Sequence, residues 1–183
     1  STRSADPFDI SEETKAALKE VFRYWEGKTT SDLALSYMSE GAKLAMDHNI
    51  FTPGNYFYNG VGHVSVNYGE VLAIGFEGIM NKAKASLEKI KDGDVDCVKR
   101  RAFLEGVITS LDAACKYAER YALLALEMVK SETDPVRKME LAIIANNCVN
   151  VPRKGATSFY EACQSFWFVQ MLIQTEGSGH SIS

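Results

Sequence analysis

"LEGVITSLDAACKYAERYALLALEM", residues 104–128, decides the fold class. Leu104, Val107, Ile108, Leu111, Ala114, Ala118, Tyr121, Ala122, Ala125 and Met128 recur at three- and four-residue steps over several turns. That is the period of an α-helix with one apolar stripe and not of a strand, whose faces alternate every second residue. Small residues at Ala113, Ala114 and Ala118 leave room for a neighbouring helix to approach closely.

The same period continues on both sides. Upstream, Leu72, Phe76, Ile79, Ala83, Leu87 and Ile90 fall in step, and "KDGD" after them offers Gly93 as a left-handed cap. Downstream, Asp134-Pro135 reads as a helix start, a capping carboxylate followed by proline at the first helical position. That helix carries Leu141, Ile143 and Ile144 and cannot continue through Pro152. Ser158 with Glu161 has capping-box spacing, and the helix it opens is apolar nearly all round, which requires an enclosing body. Nearer the N-terminus, Asp9 or Ser11 caps a helix carrying Leu18, Val21, Phe22 and Trp25 that stops at Gly27. Thr30 or Ser31 caps a second, with Leu33, Leu35, Tyr37, Met38, Leu44 and Met46 on its apolar face. The segment 48–69 breaks the pattern: it holds Pro53, glycines and the aromatics Tyr56, Phe57 and Tyr58, which favour burial. The fold class expected is mainly α.

With 183 residues, 46% of them hydrophobic, and a net charge of −4, the chain has the composition of a globular protein. No basic cluster interleaves with aromatics, so nucleic acid is not an expected partner. The longest apolar run, Phe166–Ile173, is interrupted by Gln170 and too short to span a bilayer. Cys97, Cys115, Cys148 and Cys163 have no metal-ligand spacing and read as reduced cysteines of a cytoplasmic protein; no metal site is expected. The opening at Ser1 and the close just after a His–Ser pair suggest a segment of a longer polypeptide.

Three histidines exist. His48 sits at a helix end and reads as structural. His63 lies in "NGVGHVSV" and His180 in "GSGHSIS", each preceded by glycines that permit tight backbone geometry and close ligand approach. His63 reads either as a core histidine bonded to a carbonyl or as a site residue. His180, with Ser181 beside it, reads either as a frayed helix terminus or as part of a pocket. Brought together, two imidazoles and a hydroxyl suit a small polyhydroxylated ligand, because a histidine donates to a leaving oxygen when protonated and accepts from a hydroxyl when neutral. No nucleophile elbow, P-loop or metal set competes with them.

The stretches "TPGNYFYNGVGHVSVNYGEVLAIGFEGI", "FLEGVITSLDAACKYAERYA" and "ATSFYEACQSFWFVQMLIQTEGSGHSIS" resemble glycyl radical enzymes of the pyruvate formate-lyase-like superfamily, and within it the B12-independent glycerol and propane-1,2-diol dehydratases. The resemblance implies that 1–183 is a partial domain, the helical portion of a ten-stranded β/α barrel on the N-terminal side of the enzyme. It implies that His63 is the catalytic proton donor near the departing hydroxyl, and that His180 and Ser181 bind the substrate's hydroxyls. No cofactor would be bound by this segment. The family's glycyl radical is installed by a separate S-adenosylmethionine, iron–sulfur activase and passes to a cysteine, and a small diol loses water to become an aldehyde. A homodimeric parent in the cytoplasm, or inside a bacterial microcompartment, is implied in the same way.

The sequence departs from the full family pattern. The Gly-Cys-apolar-Glu motif is absent, and "NCVNV" around Cys148 and "DCVKR" around Cys97 do not supply it. The Arg-Val-x-Gly-Tyr type radical loop is absent as well. The segment alone is therefore expected to be inactive. Two alternatives stay open: a glycyl radical enzyme acting on hydroxyproline, choline or a sulfonate, and a non-catalytic helical interaction module.

Overall fold

The computed structural model describes residues 10–54 and 65–176. They belong to two compact units, one within residues 1–60 and one within 61–183. Every regular element among the described residues is a helix, in agreement with the mainly α expectation.

The first unit holds α1 (Glu12–Trp25), α2 (Thr30–Tyr37) and α3 (Glu40–Asp47). Ser11 caps α1, its Oγ accepting from the Thr14 amide at 3.1 Å, while Asp9 lies outside the described residues. Two local expectations are corrected. The cap of α2 is Thr29, not Thr30 or Ser31: the Asp32 amide donates to Thr29 Oγ1 at 3.1 Å, and the Thr29 amide donates to Asp32 Oδ2 at 3.0 Å. Only the residue three before an acid can make that reciprocal pair. The second helix is also two helices. Ser39 takes the Ala42 amide at 3.2 Å, and Met38 before it is extended, so a side-chain oxygen has displaced the helical ladder. His48 is the C-cap of α3, as expected, and acts there through its backbone N–H, which donates to the Leu44 carbonyl at 3.0 Å.

The second unit holds α4 (Tyr68–Leu87), α5 (Cys97–Ser131), α6 (Pro135–Asn150) and α7 (Phe159–Glu176). The 35 residues of α5 make it about 52 Å long at 1.5 Å per residue, and it packs on both α4 and α6. Two apolar clusters line it. In the first, Val71, Phe76 and Met80 of α4 meet Cys115 of α5 and Val169 of α7. In the second, Ala118 and Ala122 of α5 meet Cys148 of α6 and Phe168 of α7. Adjacent residues of α7 thus serve different clusters, and each fully buried Phe or Val contributes about 1.5–3 kcal/mol. Ala118 is buried as anticipated, but Ala113 is exposed: the close approach falls on the stripe Ala118, Ala122 and Ala125.

Asp134 caps α6 as expected, accepting from the Val136 amide at 3.0 Å. The left-handed cap expected at Gly93 to end α4 does not form: α4 closes on Glu88 in the right-handed region, and the left-handed residue in this connection is Asp96, at φ 57°. Half of the Ser158–Glu161 capping box forms. The Glu161 amide donates to Ser158 Oγ at 3.1 Å, but the Glu161 carboxylate reaches one residue further back, to the Thr157 amide and hydroxyl, both at 2.7 Å. Asn150 of α6 donates to the same carboxylate at 3.1 Å, so this buried acid ties α6 to α7.

Continuous α4 is the one large misreading of the periodicity. At Gly75 the backbone turns to φ 65°, ψ 178°, and the connector between α6 and α7 enters the break. The Phe76 amide donates to the Pro152 carbonyl at 2.8 Å and the Glu77 amide to the Arg153 carbonyl at 2.9 Å. The Leu72 carbonyl, freed by the break, accepts from the Ala156 amide at 2.8 Å. Three of the backbone groups that the helix gives up, the Phe76 and Glu77 amides and the Leu72 carbonyl, are thus paired again.

Candidate functional site

His63, His180 and Ser181, the three site residues expected from the sequence, lie outside the described residues, as do Tyr56, Phe57 and Tyr58. The structure does describe the elements from which both histidine segments spring. His63 stands three positions before Val66, and His180 stands seven after Ile173. Val66 and Tyr68 at the start of α4, and Leu172 and Ile173 near the end of α7, pack against the same apolar cluster. The Tyr68 and Phe166 rings lie 5.0 Å apart, centroid to centroid. The roots of the two segments are thus neighbours, although more than a hundred residues separate them in sequence.

Local chemistry explains the start of α4. Asn67 caps it, its side-chain Oδ1 accepting from the Glu70 backbone amide at 3.3 Å while its side-chain Nδ2 donates to Glu70 Oε2 at 3.1 Å. Lys82 holds the other oxygen of Glu70 at 2.7 Å. Asn-x-x-Glu is a legible capping pattern, and this one was overlooked. Also overlooked was Tyr68, whose hydroxyl is buried with no hydrogen-bond partner among the described residues. Burial pushes its phenol pKa up. A buried hydroxyl left unpaired costs about 1–3 kcal/mol.

The cysteines have other duties. Burial pushes Cys115 up to about 11 and raises Cys148 as well, so both are neutral thiols of the apolar clusters. A groove of about 230 Å³ between α5, α6 and α7 is lined mainly by apolar side chains, among them Leu124, Met128, Ile144 and Trp167. It opens beside the second cluster, whereas the histidine roots pack on the first. Among the described residues no group of three or more His, Cys, Asp or Glu is placed to hold a metal ion, and no helix is long and apolar enough to cross a membrane.

The described helices lead to two Gly-X-Gly-His segments, and the chain belongs to the pyruvate formate lyase-like family, whose model matches residues 1–183. Within it the chain is similar to diol dehydratases. A structure of the 1,2-propanediol dehydration enzyme of Roseburia inulinivorans is 56% identical, with a TM-score of 0.78, over 100% of this chain and 22% of that one. The glycerol-bound B12-independent glycerol dehydratase of Clostridium butyricum is 54% identical, with a TM-score of 0.77, over 99% of this chain and 23% of that one. The (2S)-3-sulfopropanediol dehydratase of Klebsiella oxytoca is 38% identical over 99% of this chain. The chain spans 22% of the length of that relative.

Proposed function

We propose that this chain is the part of a glycyl radical dehydratase that grips a small diol, glycerol or propane-1,2-diol, while water is eliminated to leave an aldehyde. His63 gives its proton to the departing hydroxyl, which leaves as water and not as hydroxide. His180 and Ser181 bind the substrate's hydroxyls and fix which carbon loses its oxygen. Supporting this reading is the shared packing of Val66, Tyr68, Leu172 and Ile173, which starts both histidine segments from one cluster. Fully extended, three residues reach about 10 Å and seven about 24 Å, ample for convergence on one substrate. The likeness to the propanediol and glycerol enzymes favours a diol over an amino acid or a quaternary amine.

The radical chemistry of such an enzyme supplies hydrogen abstraction at the substrate carbon. None of the four cysteines stands in the required Gly-Cys-apolar-Glu setting, and no radical-loop motif is present, so that step is not assigned to residues of this chain. On this reading the chain does not turn over alone, and the full-length protein, a cytoplasmic homodimer, depends on an S-adenosylmethionine, iron–sulfur activase.

The test is anaerobic turnover by the activated full-length protein, with products read by mass spectrometry. Glycerol, propane-1,2-diol, 3-sulfopropanediol, trans-4-hydroxyproline, choline and isethionate are offered in parallel. Aldehyde from glycerol or propane-1,2-diol is expected, with a loss of about 10²–10⁴-fold in His63→Gln, the range for removal of a general acid. Turnover of a non-diol alone rejects the assignment.

A further inference from the structure

The break in α4 joins the two elements that carry the histidine segments. The first turns of α4, Tyr68–Ile74, lead back to His63, and they are cut from the rest of their helix at Gly75. What replaces helical continuity there is the connector 152–156, and the same connector leads into α7 and so toward His180. The contact is backbone to backbone. A Cβ on Gly155 would strike the Ala73 carbonyl, and one on Gly75 would strike the Arg153 carbonyl and the Lys154 backbone. The connector is held to α5 directly, and its two flanks are held together by the head of α7. Arg153 donates to Glu119 of α5 at 2.6 Å, and Glu161 at the head of α7 takes the Thr157 amide at 2.7 Å and Asn150 of α6 at 3.1 Å.

We propose that Gly155 and Arg153 are positioning residues for the candidate site: through the backbone contact at the α4 break they set the angle between the first turns of α4 and α7. This rests on the proposed roles of His63 and His180. Neither residue touches substrate. Gly155 permits the close approach, and Arg153, paired with Glu119, sets how far the connector enters the break.

The experiment uses the activated full-length protein and reads diol turnover together with amide hydrogen exchange at Phe76 and Glu77. Arg153→Met is expected to speed exchange at both amides, since their acceptors belong to the connector. It is also expected to lower kcat about tenfold with KM within about twofold, the mark of misplaced but still bound substrate. The exchanged pair Arg153→Glu with Glu119→Arg recovers most of both readouts. Gly155→Ala is expected to lower kcat more, by about a hundredfold. If that variant does not fold, Arg153→Met and the exchanged pair decide the matter. Unchanged exchange at Phe76 and Glu77 in Arg153→Met overturns the proposal, and so does wild-type kcat in that variant when His63→Gln and His180→Gln are inactive. Wild-type turnover in His63→Gln and His180→Gln is instead the failure of the functional reading, and exchange at Phe76 and Glu77 still decides whether the connector holds the break.

Discussion

Glu161 is a carboxylate with three donors around it and almost no access to solvent. The Thr157 hydroxyl and amide hold its pKa below the usual 4.5. A lowered folded-state pKa means that this group's stabilisation is complete above about pH 4.5 and is lost as pH falls through the lower folded value. Glu161→Gln is therefore expected to flatten the acid limb of the stability profile below pH 4.5 and to lower the melting temperature at neutral pH. Thermal melts of the dilute chain between about pH 3 and pH 7 check it; an unchanged acid limb refutes it. At this scale the sequence was readable at some side-chain caps, Asp134 and Ser11 among them, but not at Ser39 or Asn67. It misled where hydroxyl residues run together: Thr30 or Ser31 was expected and Thr29 is the cap, because the choice rests on whether Asp32 can reciprocate.

At the scale of elements, α5 is decided by what each small residue faces. Ala122 is 2% exposed and sits against Phe168 and Cys148, whereas Ala113, expected from its small size to admit a neighbouring helix, faces solvent. Ala122→Leu forces α5 off its neighbours and is expected to cost about 1–3 kcal/mol. Ala113→Leu stays within about 0.5 kcal/mol. Urea melts of both variants make the comparison, and equal effects would contradict the packing described. The α4 break belongs to this scale as well. Its apolar residues keep helical spacing across Gly75, so no periodicity reveals the interruption; the φ of Gly75 depends on a connector nearly eighty residues away.

For the second unit as a whole, the apolar surface left open is large. Phe159 is 85% exposed, Leu123 67% and Trp167 60%, all on α5 and α7. The apolar girth of α7 pointed to an enclosing body, and among the described residues the side of α7 that is covered holds Glu161, Ser165, Phe168 and Val169. Such a surface associates in water. Sedimentation of the isolated 183-residue chain is expected to show self-association at micromolar concentration. Trp167→Lys and Leu124→Lys together should shift it toward monomer. A stable monomer with a cooperative melt would contradict this.

By itself the sequence determined that the chain is helical, the caps at Ser11, Asp134 and Ser158, and the two Gly-X-Gly-His segments, because spacing, side-chain capping and glycine's freedom act over a few residues. Only the tertiary structure decided that α4 is broken, that Ala122 and not Ala113 meets a neighbouring helix, and that the starts of the two histidine segments share one apolar cluster. Those features arise from contacts between residues far apart in the chain, where close packing, and not local preference, selects the partner.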